Sequence, residues 1–386
     1  MKSLKRRLIA LRSALYRAMM RAAGALLPLD RHKTVYMSFG GHAYSDNPRA
    51  VSEAMSALDP QARPVWLFTD LNKPRPDMPQ NVIPVRAHSL RAVYHMATAS
   101  CWVLNHLMPP YLVKRRGQCY VQTWHGDRTF KVVLHESGKR GIPDLDVMDL
   151  GVVGSDQGET IFRDMFGYKG ELLRVGSPRN DALIHLDDQE AARIRRAVGI
   201  GEDERVAMYA PTMREHLAHT QRRQDVQALD FKRLLDLLEQ RDGLSWRLIV
   251  RAHSTVSGLG GYAADARILD LSGYEDMRDL LQICDLLLTD YSSSACDFPL
   301  TGRPVVLFQP DIDEYRARDR ALCFKMEDSP FHAARSQAEL EDILLSIDED
   351  GARENARAIE QFFGIDETGE AAKRVAEWIL SKGASI

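Results

Sequence analysis

Two histidines in this 386-residue chain stand directly behind short apolar runs, the place where a side chain emerges from the body of an α/β fold. His125 lies in Gln122-Thr-Trp-His-Gly126, where glycine lets backbone or ligand come close and an imidazole can take a proton near neutral pH. A packed loop histidine fits the same pattern. Arg251-Ala-His253-Ser254 follows Leu248-Ile-Val, and a guanidinium beside an imidazole suits a phosphate or pyrophosphate through charge-assisted hydrogen bonds. A solvated arginine beside a capping serine fits equally well. In Thr289-Asp290-Tyr-Ser292-Ser293-Ser294-Ala-Cys-Asp297, three consecutive serines occupy a strand-to-helix turn. One hydroxyl is enough for a helix cap, so the surplus favours an anion surrounded by hydroxyls and free N–H groups. Gly176-Ser-Pro-Arg179-Asn180-Asp181 and Tyr209-Ala-Pro-Thr-Met-Arg214 each offer an arginine to an anion, although their turn residues can also serve as plain caps.

These segments need a frame. Short apolar runs at Val35–Phe39, Val65–Phe68, Cys101–Leu104, Cys119–Gln122, Gly151–Val153 and Leu172–Val175 alternate with helical stretches at Asn47–Leu58, Ser89–Ala97, Gln157–Phe166 and Asp188–Val198. After a polar stretch around Gly199–Glu204 the alternation restarts, with strands at Arg205–Ala210, Trp246–Val250, Asp285–Thr289 and Pro304–Phe308. Helices are expected at Phe231–Gln240, Met277–Ile283 and Ala338–Ile347, and two more near Glu354–Phe363 and Glu370–Ser381 close the chain. Such alternation predicts an α/β protein with two mostly parallel, doubly wound sheets, and ligands bind where strands end. The expected division is an arm over 1–33, a first domain over 34–198 and a second over 199–386.

With 45% hydrophobic and 27% charged residues, the composition excludes disorder, and no apolar run approaches the roughly 18 residues of a spanning helix. Five cysteines without a CxxC pair read as free thiols. No His, Asp and Glu cluster has metal spacing; Asp144-Leu-Asp146 and Asp311-Ile-Asp313 read as turn residues, and no metal or cofactor is expected. Residues 1–33 carry nine Lys and Arg against one acid, a net +8 within an overall −3, which leaves −11 for the remainder. An acidic body is poorly suited to tracking nucleic acid. Leu4, Leu8, Leu11, Leu15, Met19, Ala22 and Leu26 share one side of a helix in this arm, with cations elsewhere. That pattern fits an anionic membrane surface, or docking on the acidic body; Arg12, Arg17 and Arg21 interrupt any signal-peptide core.

Taken together, QTWHG (122–126), GSPRND (176–181), YAPTMR (209–214), RAH (251–253), TDYSS (289–293) and FQPDIDEY (308–315) resemble the CDP-glycerol glycerophosphotransferase family of teichoic acid and capsule assembly. The resemblance covers about residues 120 to 325. It implies a GT-B fold, two Rossmann-like domains facing a central cleft, and transfer of a polyol phosphate from a CDP-polyol such as CDP-glycerol to a lipid-linked or polysaccharide acceptor hydroxyl, with release of CMP. In that reading His125 is the general base, His253 with Arg251 steadies the pyrophosphate, and Thr289, Asp290, Ser292, Ser293 and Ser294 form the donor-phosphate turn. Asp297 accepts from ribose, Arg214 is a second phosphate cation, and Gly126, Arg179 and Asn180 face the acceptor side. The enzyme is then expected at the cytoplasmic face of the membrane as a peripheral protein. After Gly126 the chain departs from the family's usual Thr-Pro and lysines, reading Asp127-Arg-Thr-Phe-Lys131, so the resemblance implies the CDP-polyol donor, with glycerol or ribitol as the polyol, and does not name the acceptor. A GT-B glycosyltransferase or epimerase using a UDP-sugar, and a non-catalytic membrane-docked scaffold, are the competing readings.

Overall fold

The structure is a computed structural model describing residues 2–109, 111–132, 147–212, 214, 229–252, 265–319 and 321–383. The chain forms two compact units: Met1–Asp127 with Leu134–Asp181 and Asp366–Ile386, and Arg128–Val133 with Ala182–Ile365.

In the first unit seven strands form a sheet: β1 (Asp30–Met37), β2 (Arg63–Phe68), β3 (Ile83–Arg86), β4 (Ala99–Leu104), β5 (Cys119–Gln122), β6 (Leu150–Val153) and β7 (Glu171–Arg174). Their order is β3-β2-β1-β4-β5-β6-β7 and every pairing is parallel. Helices cover both faces, which is why β4 is buried at all six positions and is apolar but for Ser100, whose hydroxyl donates to the Lys33 carbonyl. The second unit repeats the plan with β8 (Arg205–Ala210), β9 (Trp246–Val250), β10 (Ile268–Asp270), β11 (Leu286–Thr289), β12 (Val305–Phe308) and β13 (His332–Ala334). Its order is β10-β9-β8-β11-β12-β13, again all parallel. In both sheets the winding reverses once, at β1/β4 and at β8/β11, the arrangement whose strand ends accept ligands.

The units differ from the division read along the sequence. Helix Asp188–Val198 belongs to the second unit because Ile194 packs into that core with Val206 and Met208. The last helix, Ala371–Gly383, belongs to the first, where Ala371, Val375 and Ile379 share a core with Tyr36, Val51 and Val121.

The arm is a helix, α1 (Lys2–Leu26), docked on the first unit by a face other than its leucine stripe. Ser13 and Met20 are buried, the Tyr16 hydroxyl donates to the His88 carbonyl (2.8 Å), and Arg115 Nη1 donates to the Gly24 and Leu27 carbonyls. At 100° per residue these positions lie opposite Leu11, Leu15 and Leu26, which are 69%, 57% and 81% exposed. No described helix is long and apolar enough to cross a membrane.

Candidate active site

In the first unit the loops leaving β1, β4 and β5 converge at the switch point. Asn105, fully buried just after β4, accepts the Phe39 N–H at Oδ1 (2.8 Å) and donates from Nδ2 to Ser38 Oγ (3.0 Å) and Asp46 Oδ1 (3.0 Å). Its backbone carbonyl takes a hydrogen bond from His125 Nδ1 at 2.7 Å. A carbonyl can only accept, so Nδ1 carries the proton and Nε2 keeps its lone pair. The geometry thus prepares His125 to take a proton at Nε2.

Aromatic rings fix the plane of that imidazole. Trp124 lies 4.6 Å away, Phe39 meets it edge-on at 5.5 Å and His106 stacks at 6.0 Å. Phe39 (φ +46°), Asp46 (φ +65°) and Trp124 (φ +50°) all sit in the left-handed region, a concentration of backbone strain around one side chain. Burial pushes the His125 imidazole below its ordinary range; the Asn105 hydrogen bond and the Asp46 carboxylate oppose that shift, while His106 and Arg179 add to it. Gly126 has room for a Cβ, which would meet only Trp124 Nε1 at 3.7 Å, so the local fold does not itself require glycine there.

Arg179 does not stand as a loose cation. Its Nη1 donates to Asp46 Oδ2 (3.1 Å) and to the His125 carbonyl (3.2 Å), and its main-chain N–H donates to Asn47 Oδ1 (3.0 Å). Asn47 in turn donates to the Trp124 carbonyl (2.9 Å). Asn180 is a fold contact, donating to Glu367 Oε1 (2.9 Å). Nothing in the sequence marks Asp46, Asn47 and Asn105 as supports of the site; the first two lie in a Ser-Asp-Asn-Pro run that describes an ordinary helix start.

In the second unit the organising group is Asp290, 1% exposed just after β11. Its carboxylate accepts from the N–H groups of Thr212 (2.9 Å) and Tyr291 (2.6 Å) and from Arg214 Nη1 (2.7 Å), and its carbonyl accepts from Gln309 Nε2 (3.0 Å). The ends of β8, β11 and β12 are thereby tied to one residue. Arg214 also meets Asp311 through Nε (2.6 Å) and Nη2 (3.0 Å), and its guanidinium lies 5.0 and 5.2 Å from the Tyr291 and Tyr315 rings, themselves stacked at 3.7 Å. Two carboxylates bracket this cation, so Arg214 and Asp290 build the turn instead of presenting free charge to a phosphate. Thr289 is likewise structural, its hydroxyl donating to the Ala210 carbonyl at 2.7 Å.

The serines above that turn have a different standing. Ser292 and Ser293 are partly exposed, and Ser294 donates its hydroxyl to Ser292 Oγ (2.9 Å). Arg251, at the end of β9, donates from Nη2 to the Tyr274 carbonyl (3.3 Å), while its Nε finds no partner among the described residues. Burial pushes this guanidinium down from its ordinary range, opposed by the Asp276 carboxylate. Its charge therefore has capacity for an anion. His253 lies outside the described residues, as do Asp144 and Asp146. Asp297 makes a buried ion pair with Arg128 Nη2 at 2.6 Å, with side chains 6% and 0% exposed, which accounts for it without a ribose. Among the described residues no group of three or more His, Cys, Asp or Glu side chains could hold a metal ion.

Two outcomes check this geometry. His125 should titrate in an NMR pH series with a midpoint below the ordinary value of about 6.5, since burial favours the neutral ring; a midpoint at or above that value contradicts the arrangement. Asp297→Asn should lower urea-unfolding stability by about 3–5 kcal/mol, because it takes the charge from the carboxylate that pairs with the fully buried Arg128 guanidinium at 2.6 Å. A stable variant that merely bound nucleotide less well would restore the ribose role.

Comparison with known proteins agrees with the fold. The family described as CDP-Glycerol:Poly(glycerophosphate) glycerophosphotransferase matches residues 19–381. A teichoic acid poly(glycerol phosphate) polymerase of Bacillus spizizenii is 30% identical over 92% of this chain and 93% of its own length. One of Bacillus subtilis is 31% identical over 78% of this chain but only 42% of its own length, so this chain spans less than half of that longer relative. Among solved structures, the wall teichoic acid polymerase TagF superposes with a TM-score of 0.80 at 26% identity, covering 100% of this chain and 97% of that one.

Proposed function

The chain belongs to the CDP-glycerol:poly(glycerophosphate) glycerophosphotransferase family, and from that premise we propose that it transfers glycerol phosphate from CDP-glycerol to an acceptor hydroxyl of a teichoic-acid-type cell-envelope precursor, releasing CMP. The observation that carries the reading is the Nδ1-protonated His125, whose Nε2 lone pair is held ready by the Asn105 carbonyl. His125 takes the proton of the acceptor hydroxyl as its oxygen bonds to the glycerol-bearing phosphorus. The bond from that phosphorus to the bridging oxygen breaks, and the oxygen leaves with CMP. Phosphoryl transfer of this kind depends on positioning, a proton acceptor and donors or cations on the diphosphate. Ser292, Ser293 and Arg251 are the donor-side groups with hydrogen-bonding capacity to give.

The exposed leucines of α1 extend the proposal to location. The stripe of Leu11, Leu15 and Leu26 lies on the side of the helix away from the body, with Arg12 on one side of it and Arg21 on the other. An anionic bilayer surface takes up the apolar stripe and the cations together, each cation near it adding about 1 kcal/mol. A peripheral enzyme held in this way meets a lipid-linked acceptor where that acceptor resides.

His125→Ala should lower kcat by about 10²–10⁴-fold while CDP-glycerol binding persists; near-normal turnover removes His125 from the chemistry. Ser292→Ala with Ser293→Ala should weaken CDP-glycerol binding about tenfold or more and leave cytidine binding unchanged, and equal losses for both ligands point to a folding defect. Leu11→Gln, Leu15→Gln and Leu26→Gln together should abolish salt-sensitive binding to anionic vesicles without lowering thermal stability. Undiminished vesicle binding sinks the membrane reading.

A further inference from the structure

The helix that follows β1, α2 (Asp46–Leu58), starts in an unusual way. Its N-cap residue, Ser45, makes no side-chain capping bond, and its first residue, Asp46, sits at φ +65° with only 8% of its surface exposed. A plain helix start would have used the serine and relaxed the backbone. Instead the Asp46 carboxylate turns away from solvent to accept from the Asn47 N–H (2.7 Å), from Asn105 Nδ2 (3.0 Å) and from Arg179 Nη1 (3.1 Å). Two of those partners touch His125 directly. Asn105 accepts from its Nδ1 through the backbone carbonyl, and Arg179 Nη1 donates to its main-chain carbonyl.

We propose that Asp46 is a positioning residue for the base: it locks the loops after β1, β4 and β5 around His125 and supplies the negative charge that offsets Arg179. The inference rests on His125 acting as the base and adds a residue that does not itself touch the reacting atoms. The ionisable groups that face His125 are Asp46, Arg179 and His106, with Phe39 and Trp124 completing its surroundings. Asp46 is the one anion among the three. Without its charge the pull that favours the protonated ring is lost while Arg179 and His106 still disfavour it, so the protonated ring becomes harder to form and Nε2 becomes a weaker base.

The sign of the expected change follows. The neutral ring is the active form, so a lower imidazole midpoint moves the acid limb of the kcat–pH profile to lower pH, while the plateau falls with the weaker base. Asp46→Asn is the test, because asparagine tolerates a positive φ and keeps a side chain of the same shape. The full-length variant should lose about tenfold or more in plateau kcat, keep its CDP-glycerol affinity, and show the His125 NMR midpoint lowered by about half a pH unit or more. Arg179→Met removes the opposite charge and should raise that midpoint, and the double variant should return it toward the original value. The Arg179→Met arm also keeps the test alive if Asp46→Asn does not fold. A midpoint that stays put in both single variants overturns the electrostatic role, even where stability is lost. The NMR readout does not depend on turnover, so failure of the base reading, seen as an active His125→Ala enzyme, is distinguishable from failure of this one.

Discussion

A hydrogen bond from His125 Nδ1 to the backbone carbonyl of Asn105 decides which nitrogen of the imidazole is basic, and much of the first unit is arranged to keep that carbonyl in place. Asn105 cannot move without breaking its side-chain contacts to Ser38, Phe39 and Asp46. Those contacts reach back to the end of β1, and the histidine itself stands after β5, so the parallel order of the sheet is what brings the parts together. A side-chain carboxylate in the carbonyl's place would have favoured the charged imidazolium more strongly. The neutral carbonyl orients the ring while burial keeps it unprotonated, the state a general base needs.

Both units use the same physical device at their strand ends. Parallel strands leave N–H groups pointing out of the sheet, and a buried carboxylate can gather several of them while pairing with an arginine. Asp290 does so in the second unit, taking the Thr212 and Tyr291 N–H groups and pairing with Arg214, while in the first unit Asp46 pairs with Arg179 and accepts from the Asn47 N–H and the Asn105 side-chain amide. In each case the arginine that looked from its sequence setting like a phosphate ligand is a structural partner. His125 stands beside the first pair, and the partly exposed Ser292 and Ser293 follow the second.

The central strands are legible because burial on both faces makes them largely apolar runs; β8 and β9, with only Arg205 and Arg247 as charged members, match their expected bounds residue for residue. Of the edge strands, β7 shows through its Leu172-Leu173 pair, whereas β3, β10 and β13, each of three or four residues and partly exposed, with Pro84 in β3, do not. At the site, His125 and the serine turn could be found from residue type behind an apolar run. Their supports could not. Arg214 meets Asp290 across 76 residues, Arg179 meets Asp46 across 133 and Arg128 meets Asp297 across 169, and such pairings are set by sheet order, which hydrophobic periodicity does not encode. In α1 the leucine stripe was visible, but the docking face was not, because Ser13, Tyr16, Met20 and Gly24 share no single chemical character.

The identity of the nucleotide released bears most directly on the account. Full-length protein given CDP-glycerol and an acceptor ending in glycerol phosphate should produce CMP in step with lengthening of that acceptor, followed by ion-exchange chromatography and phosphorus NMR. Release of CDP, or turnover only with a UDP-sugar, would contradict transfer of the glycerol-bearing phosphoryl group.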